Sequence, residues 1–117
     1  MFDNDYNDIN NPMYEFVEDS PSEMMAMLAE RLRQRRLEKN LSRKALAELS
    51  GVPVATLARF EQQHVISMQQ FVVLVAALGY IDQLKTLMSE PRYKTLSELE
   101  TIKHNQNRKR GRVKTNQ

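Results

Sequence analysis

Apolar side chains recur at helical spacing through the middle of the chain, and polar stretches bearing capping residues divide that pattern into segments. Met24, Met27 or Leu28, and Leu32 mark the inner stripe of a first helix, Met24 to Lys39. Asn40 is placed to end it in the left-handed conformation usually given to Gly. Ser42 opens a second helix as its N-cap, with Leu41 and Leu46 forming a hydrophobic staple and Ala45, Leu46 and Leu49 facing a core. Gly51 then requires a sharp turn with positive φ, Val52 fills the angle between two helices, and Pro53 begins the next. In that helix Leu57 and Phe60 point inward, which leaves Val54, Ala55, Ala58, Arg59 and Gln62 pointing out.

Ser67 and Gln70 form a capping box ahead of residues 68–78, where Phe71, Leu74, Val75 and Leu78 fall at i, i+3, i+4 and i+7. The β-branched run there imitates a strand, but the cap, the length and Gly79 at the far end favour a buried helix. A fifth helix is predicted from Ile81 to Met88, with Ile81, Leu84, Leu87 and Met88 apolar and Pro91 beyond it. A short sixth helix within residues 92–104 carries Leu96, Leu99 and Ile102, capped either by Thr95 with Glu98 or by Ser97 with Glu100. The fold is therefore expected to be all-α.

Charge sharpens the division. The formal net charge is only +2, but residues 1–23 hold seven acids and no Lys or Arg, and residues 105–117 hold five basic residues and no acid. Between them, residues 24–104 carry twelve basic and eight acidic side chains. The ends are thus expected to be an acidic, disordered N-terminal arm (1–23) and a basic, phosphate-seeking C-terminal tail (105–117), flanking a body at 24–90 and a short helix at 91–104. Within the arm, Met13, Tyr14, Phe16 and Val17 set apolar side chains among acids, either incidentally or as a partner-docking segment. The chain has no Cys, which excludes disulfides and thiolate metal sites. No export signal is read at the acidic start, and the longest apolar run, Phe71 to Leu78, is too short for a membrane span. A cytoplasmic, nucleoid-associated bacterial protein is the expectation.

The stretch LSRKALAELSGVPVATLARFEQQ, residues 41–63, resembles the phage repressor/Cro (Xre) helix-turn-helix family. The resemblance rests on the LSRKALAELSGV opening, the VATLARFE second helix, and the register of Ala47, Gly51, Val52, Leu57 and Glu61. It extends over residues 28–87 and implies a five-helix repressor-like DNA-binding domain with its motif at 43–62. In that family the last helix often supplies dimer contacts, a use that competes with core packing for the leucines of residues 81–88. The resemblance also implies base-reading positions at Val54, Ala55 and Arg59 and backbone-contacting positions at Arg43 and Thr56.

Side-chain chemistry refines those roles. Arg59 has the planar fork that bonds guanine in two places, whereas Val54 and Ala55 are limited to thymine methyl contact or close approach. Gln62 and Gln63 are further base-reading candidates or plain polar residues at a helix end. Lys44, His64 and Arg36 join Arg43 and Thr56 as phosphate-contacting candidates, Arg36 because residues 31–36 crowd Arg31, Arg33, Arg35 and Arg36 onto half a helix. Arg35 stands where the family often has an apolar residue, so its stem is expected to pack.

His64 and His104 are isolated, no metal-ligand spacing occurs, and no nucleophilic triad or phosphate-cradling Gly loop is present. No enzyme activity, metal or cofactor is expected. The segment PRYKTLSELE followed by RKRGR looks like the C-terminal extension of Xre-type regulators encoded with HipA-type kinase toxins. That resemblance implies a HipB-type antitoxin: a homodimer that represses its own operon at a palindromic operator and binds a HipA-like kinase toxin or its companion protein. A phage-type or restriction-controller repressor without a toxin partner, and a protein-interaction module with incidental DNA contact, remain the alternatives.

Overall fold

A computed structural model describes residues 20–112, and among these every regular element is an α-helix. The docking candidates Met13, Tyr14, Phe16 and Val17, the rest of the acidic arm up to residue 19, and the tail beyond residue 112 lie outside the described residues. The helices are α1 (Pro21–Glu38), α2 (Arg43–Ser50), α3 (Val54–Gln63), α4 (Met68–Leu78), α5 (Ile81–Lys85) and α6 (Leu96–Asn105). The chain divides into two units between Asp82 and Gln83.

In the first unit, helix α1 begins at Pro21, three residues before the expected start. Ser20 takes the N-cap position and accepts a 3.3 Å bond from the Glu23 amide, and Pro21 sits where an N–H has no helical partner. Its buried stripe also differs from expectation. Met24 is exposed, and the inward positions are Met25, Leu28, Ala29, Leu32 and Arg36, the i, i+3, i+4, i+7 series that continues to i+11. The stripe thus ends on a charged residue.

The turn between α2 and α3 follows the sequence closely. Ser42 accepts the Ala45 amide at 2.9 Å, and Gly51 ends α2 with φ 84° while its own N–H donates to the Ala47 carbonyl. Val52 is buried in the angle. Pro53 precedes α3, and its carbonyl accepts the Thr56 and Leu57 amides. Leu49 departs from expectation: it is 60% exposed, because the core-facing sector of α2 runs through Leu46 and Ala47 rather than through Ala45 and Leu49.

Leu46, Leu57, Phe60 and Leu74 are wholly enclosed and form the centre where α2, α3 and α4 meet. Burying each contributes about 1.5–3 kcal/mol. Phe71 meets Phe60 edge-on, with ring centroids 5.7 Å apart at 74°. Helix α4 is held at its start by Ser67, which accepts the Gln70 amide and donates its hydroxyl to Gln70 Oε1. Gly79, at φ 91°, ends it.

The expected fifth helix is cut short. Helix α5 stops at Lys85, and the chain continues through tight turns in which Leu87 donates to the Leu84 carbonyl and Ser89 to that of Thr86. Such i→i−3 bonds tighten the backbone instead of propagating an α-helix. Leu87 and Met88 are exposed, and Met88 takes φ 56°. In the second unit, α6 is capped by the first of the two signals predicted. Thr95 accepts the Glu98 amide at 3.1 Å, and the Glu98 carboxylate reaches back to the Lys94 amide. No residue of α6 is buried.

One carboxylate ties three helices of the first unit together. The Glu61 side chain, on the inner side of α3, is 1% exposed. Its two oxygens accept Arg36 Nε at 2.8 Å and Arg36 Nη2 at 2.9 Å, a two-pronged pair with α1. Oε1 also accepts Arg43 Nε at 2.9 Å from the first turn of α2. Arg36 spends its remaining prong on the Leu41 carbonyl at 2.8 Å, which fixes the loop entering α2. Burial pushes the Glu61 carboxyl up, but the hydrogen bonds and charges of Arg36 and Arg43 prevail and hold it below its ordinary value of 4.5.

Three outcomes are expected from this structure. Glu61→Gln leaves a buried guanidinium facing a neutral amide and lowers unfolding free energy by about 3–5 kcal/mol in urea titration near neutral pH. A carboxyl depressed on folding contributes stability that is fully present above 4.5 and is lost as pH falls through the lower folded value. The intact chain therefore loses stability in that acidic window, and Glu61→Gln flattens this part of the profile. Gly51→Ala places a Cβ that meets nothing within 4 Å, so its cost is confined to the backbone at φ 84° and comes to about 1–2 kcal/mol by the same titration.

Candidate nucleic-acid interface

With Leu57, Phe60 and Glu61 turned inward, the 3.6-residue period of α3 sends the opposite side to solvent. Ala55, Arg59 and Gln62 lie along the middle of that side, Val54 and Ala58 along one flank, and Gln63 and Thr56 along the other. Val54, Ala55, Arg59, Gln62 and Gln63 are all exposed, while Thr56 and Ala58 are half-buried. Arg59 has Ala55 one turn before it and Gln62 and Gln63 one turn after it, so its neighbours on the surface are small or uncharged. It forms no ion pair among the described residues.

The start of α3 also presents unoccupied backbone donors. Pro53 at the N-cap has no side chain able to accept, and no side-chain cap is made. The Val54 and Ala55 amides are thus left for solvent or an anion, at the positive end of the helix dipole. The side chains of Val54 and Ala55 are short enough to let a flat ligand edge approach the backbone.

The phosphate-contacting candidates separate into three kinds. Lys44 is exposed and free of ion pairs among the described residues. Arg43 is held in place: its Nε is committed to Glu61, its side chain is 35% exposed, and its two Nη groups have no partner among the described residues. A guanidinium oriented in this way is prepaid in side-chain entropy for an anion that meets the outer prongs. Thr56 sits in the first turn of α3. His64 lies at the other end, where it closes the helix in the left-handed conformation at φ 67° with its amide donating to the Phe60 carbonyl.

Arg36 does not join them. It was expected at phosphate because it stands in an Arg-rich run, yet it is 6% exposed and its guanidinium is spent on Glu61 and the Leu41 carbonyl. The reason is positional. Arg36 continues the α1 stripe of Ala29 and Leu32, so its head is carried into the interior, where only a buried carboxylate offsets its desolvation. Arg35, one position round the helix, is half-buried, with Nη2 on Glu38 at 2.7 Å.

Glu61 is the residue whose role sequence reasoning missed. Its signal was present: an acid four positions after Leu57 and beside Phe60 lies on the inner face, and Arg36 occupies the inner stripe of another helix. Two opposite charges on two inner faces imply a pair.

Residues 32–82 match the family model described as HTH_3, Helix-turn-helix. That span runs from within α1 to the start of α5 and contains the whole α2–turn–α3 unit. These residues therefore form a helix-turn-helix DNA-binding domain of the Cro/C1 (Xre) type. No match was found among curated proteins or among solved structures. No helix among the described residues is long and apolar enough to cross a membrane.

Arg59→Ala is expected to leave salt-sensitive binding to arbitrary duplex in place while removing a preference of about 1–3 kcal/mol at the base pair it meets. Competition binding with single-base variants of a selected site reads this directly. Unaltered preference in that variant contradicts the assignment.

Proposed function

From the helix-turn-helix domain at residues 32–82, we propose that the chain is a sequence-specific transcriptional repressor that acts as a homodimer, and the antitoxin component, of HipB type, of a toxin–antitoxin operon. The observation that carries the DNA-reading part is the outer face of α3, where an unpaired Arg59 stands in the middle of small and amide side chains on a helix whose inner face is fully committed.

Each residue has a task in this reading. Arg59 reads guanine through its fork, and Val54 and Ala55 take thymine methyl groups or simply admit the base edge. Gln62 and Gln63 add amide donors and acceptors further along the groove. Arg43, Lys44, Thr56 and His64 bind phosphates on either side and thereby fix the register at which Arg59 meets a base. A two-fold dimer repeats this arrangement, and the operator it fits is palindromic.

The antitoxin part is supported by the segment after the domain. PRYKTLSELE and RKRGR have the form of the extension on regulators encoded with HipA-type kinases. The first of these builds a capped helix, α6, whose Leu96 is 75% exposed. An apolar side chain that finds no core is available for a protein partner, here the HipA-like kinase or its companion protein. Met13, Tyr14, Phe16 and Val17 are a second docking candidate on the acidic arm.

Purification of tagged chain from its native host, with nuclease present to remove bridging DNA, tests the antitoxin part. Recovery of a HipA-like kinase or a small companion protein is the expected result. Recovery of the chain alone contradicts the antitoxin role and leaves a stand-alone repressor.

A further inference from the structure

Beyond α6 the chain gathers cations in one place. Arg108, Lys109, Arg110 and Arg112 fall within five residues, no Asp or Glu occurs after Glu100, and His104 lies on the last turn of the helix. The backbone turns back here: the Arg108 amide donates to the Asn105 carbonyl at 3.0 Å, and Arg108 Nε reaches the Arg110 carbonyl at 3.4 Å. The result is a concavity of about 680 Å³ lined by these five side chains with Asn105 and Gly111. None of the four fully basic residues forms an ion pair among the described residues.

Like charges brought this close repel one another, and the segment supplies no carboxylate to relieve them. A single carboxylate ligand leaves most of the charge unmatched. Three of the four are arginines, whose planar forks bond two oxygens at once and suit phosphate oxygens. We propose that this concavity is a binding site for adjacent phosphate groups, separate from the reading face of α3. The phosphates come either from the backbone of a nucleic acid lying outside the operator half-site or from a soluble polyphosphorylated small molecule. The proposal deepens the DNA-binding reading in the first case and is independent of it in the second.

The test uses the full chain, the double variant Arg108→Ala/Arg110→Ala, and an equal-charge control, Lys85→Ala/Arg92→Ala, which removes two exposed cations outside the concavity. All three are measured against a duplex of arbitrary sequence over a salt series and against inorganic tripolyphosphate. A salt slope that becomes shallower by about two units in the double variant alone, with no tripolyphosphate binding, supports the site and assigns it to a nucleic-acid backbone. Tripolyphosphate binding by the full chain that falls at least tenfold in the double variant alone supports the site and assigns it to a small polyphosphate. Equal behaviour of the double variant and the control on both probes overturns the proposal. Sequence preference, read through Arg59→Ala, rests on α3, so its failure leaves this test standing.

Discussion

The first unit depends on a buried carboxylate that three helices share. Removing Glu61 and Arg36 from water costs several kcal/mol for each ion, and their attraction repays this only in good geometry with every remaining donor satisfied. That condition is what constrains the fold. Two bonds from Arg36, one from Arg43 and the Arg36 bond to the Leu41 carbonyl are satisfied together in a single mutual arrangement of α1, the following loop, α2 and α3. Apolar packing around Leu46, Leu57, Phe60 and Leu74 holds the helices together, but apolar contacts tolerate sliding more readily than this four-bond ion cluster does. The ion cluster contributes orientation more than net stability.

Orientation matters because the proposed DNA-reading side is the reverse of the same helix. Glu61 faces inward while Arg59 and Gln62 face out, so fixing the carboxylate fixes the rotation of α3 about its own axis. The same bond sets Arg43 at the entry of α2. The proposed phosphate contact and the proposed base reading are thus referred to one anchor. A base contact requires placement within a fraction of an ångström, and a loosely held helix spreads its binding energy over several registers.

Much of this was legible in the chain. Ser42, Gly51, Val52 and Pro53 each have one good use at their positions, and the structure puts them to it. The outward set on α3 followed from Leu57 and Phe60 alone, because two inward residues three apart define the rotation of a ten-residue helix. The misreadings share a cause. Met24 and Leu49 are apolar and at helical spacing, yet each helix has apolar residues in more than one sector, and the partner surface decides which is covered. The charge of Arg36 suggests phosphate contact, but its position places it inside. Helix α5 was overextended because Leu87 and Met88 continue the pattern in sequence, whereas the backbone there has already tightened into turns. Local propensity and periodicity specify which residues are able to face a core; pairing across helices settles which of them do.

In the proposed function the outer face of α3 reads DNA sequence as part of a two-fold dimer. Selection of bound duplexes from a random-sequence pool at physiological salt tests it most directly. The predicted result is a palindromic motif with half-sites about 34–36 Å apart, one turn of the duplex. A bound pool with no enriched sequence, retained only through its backbone, would contradict it.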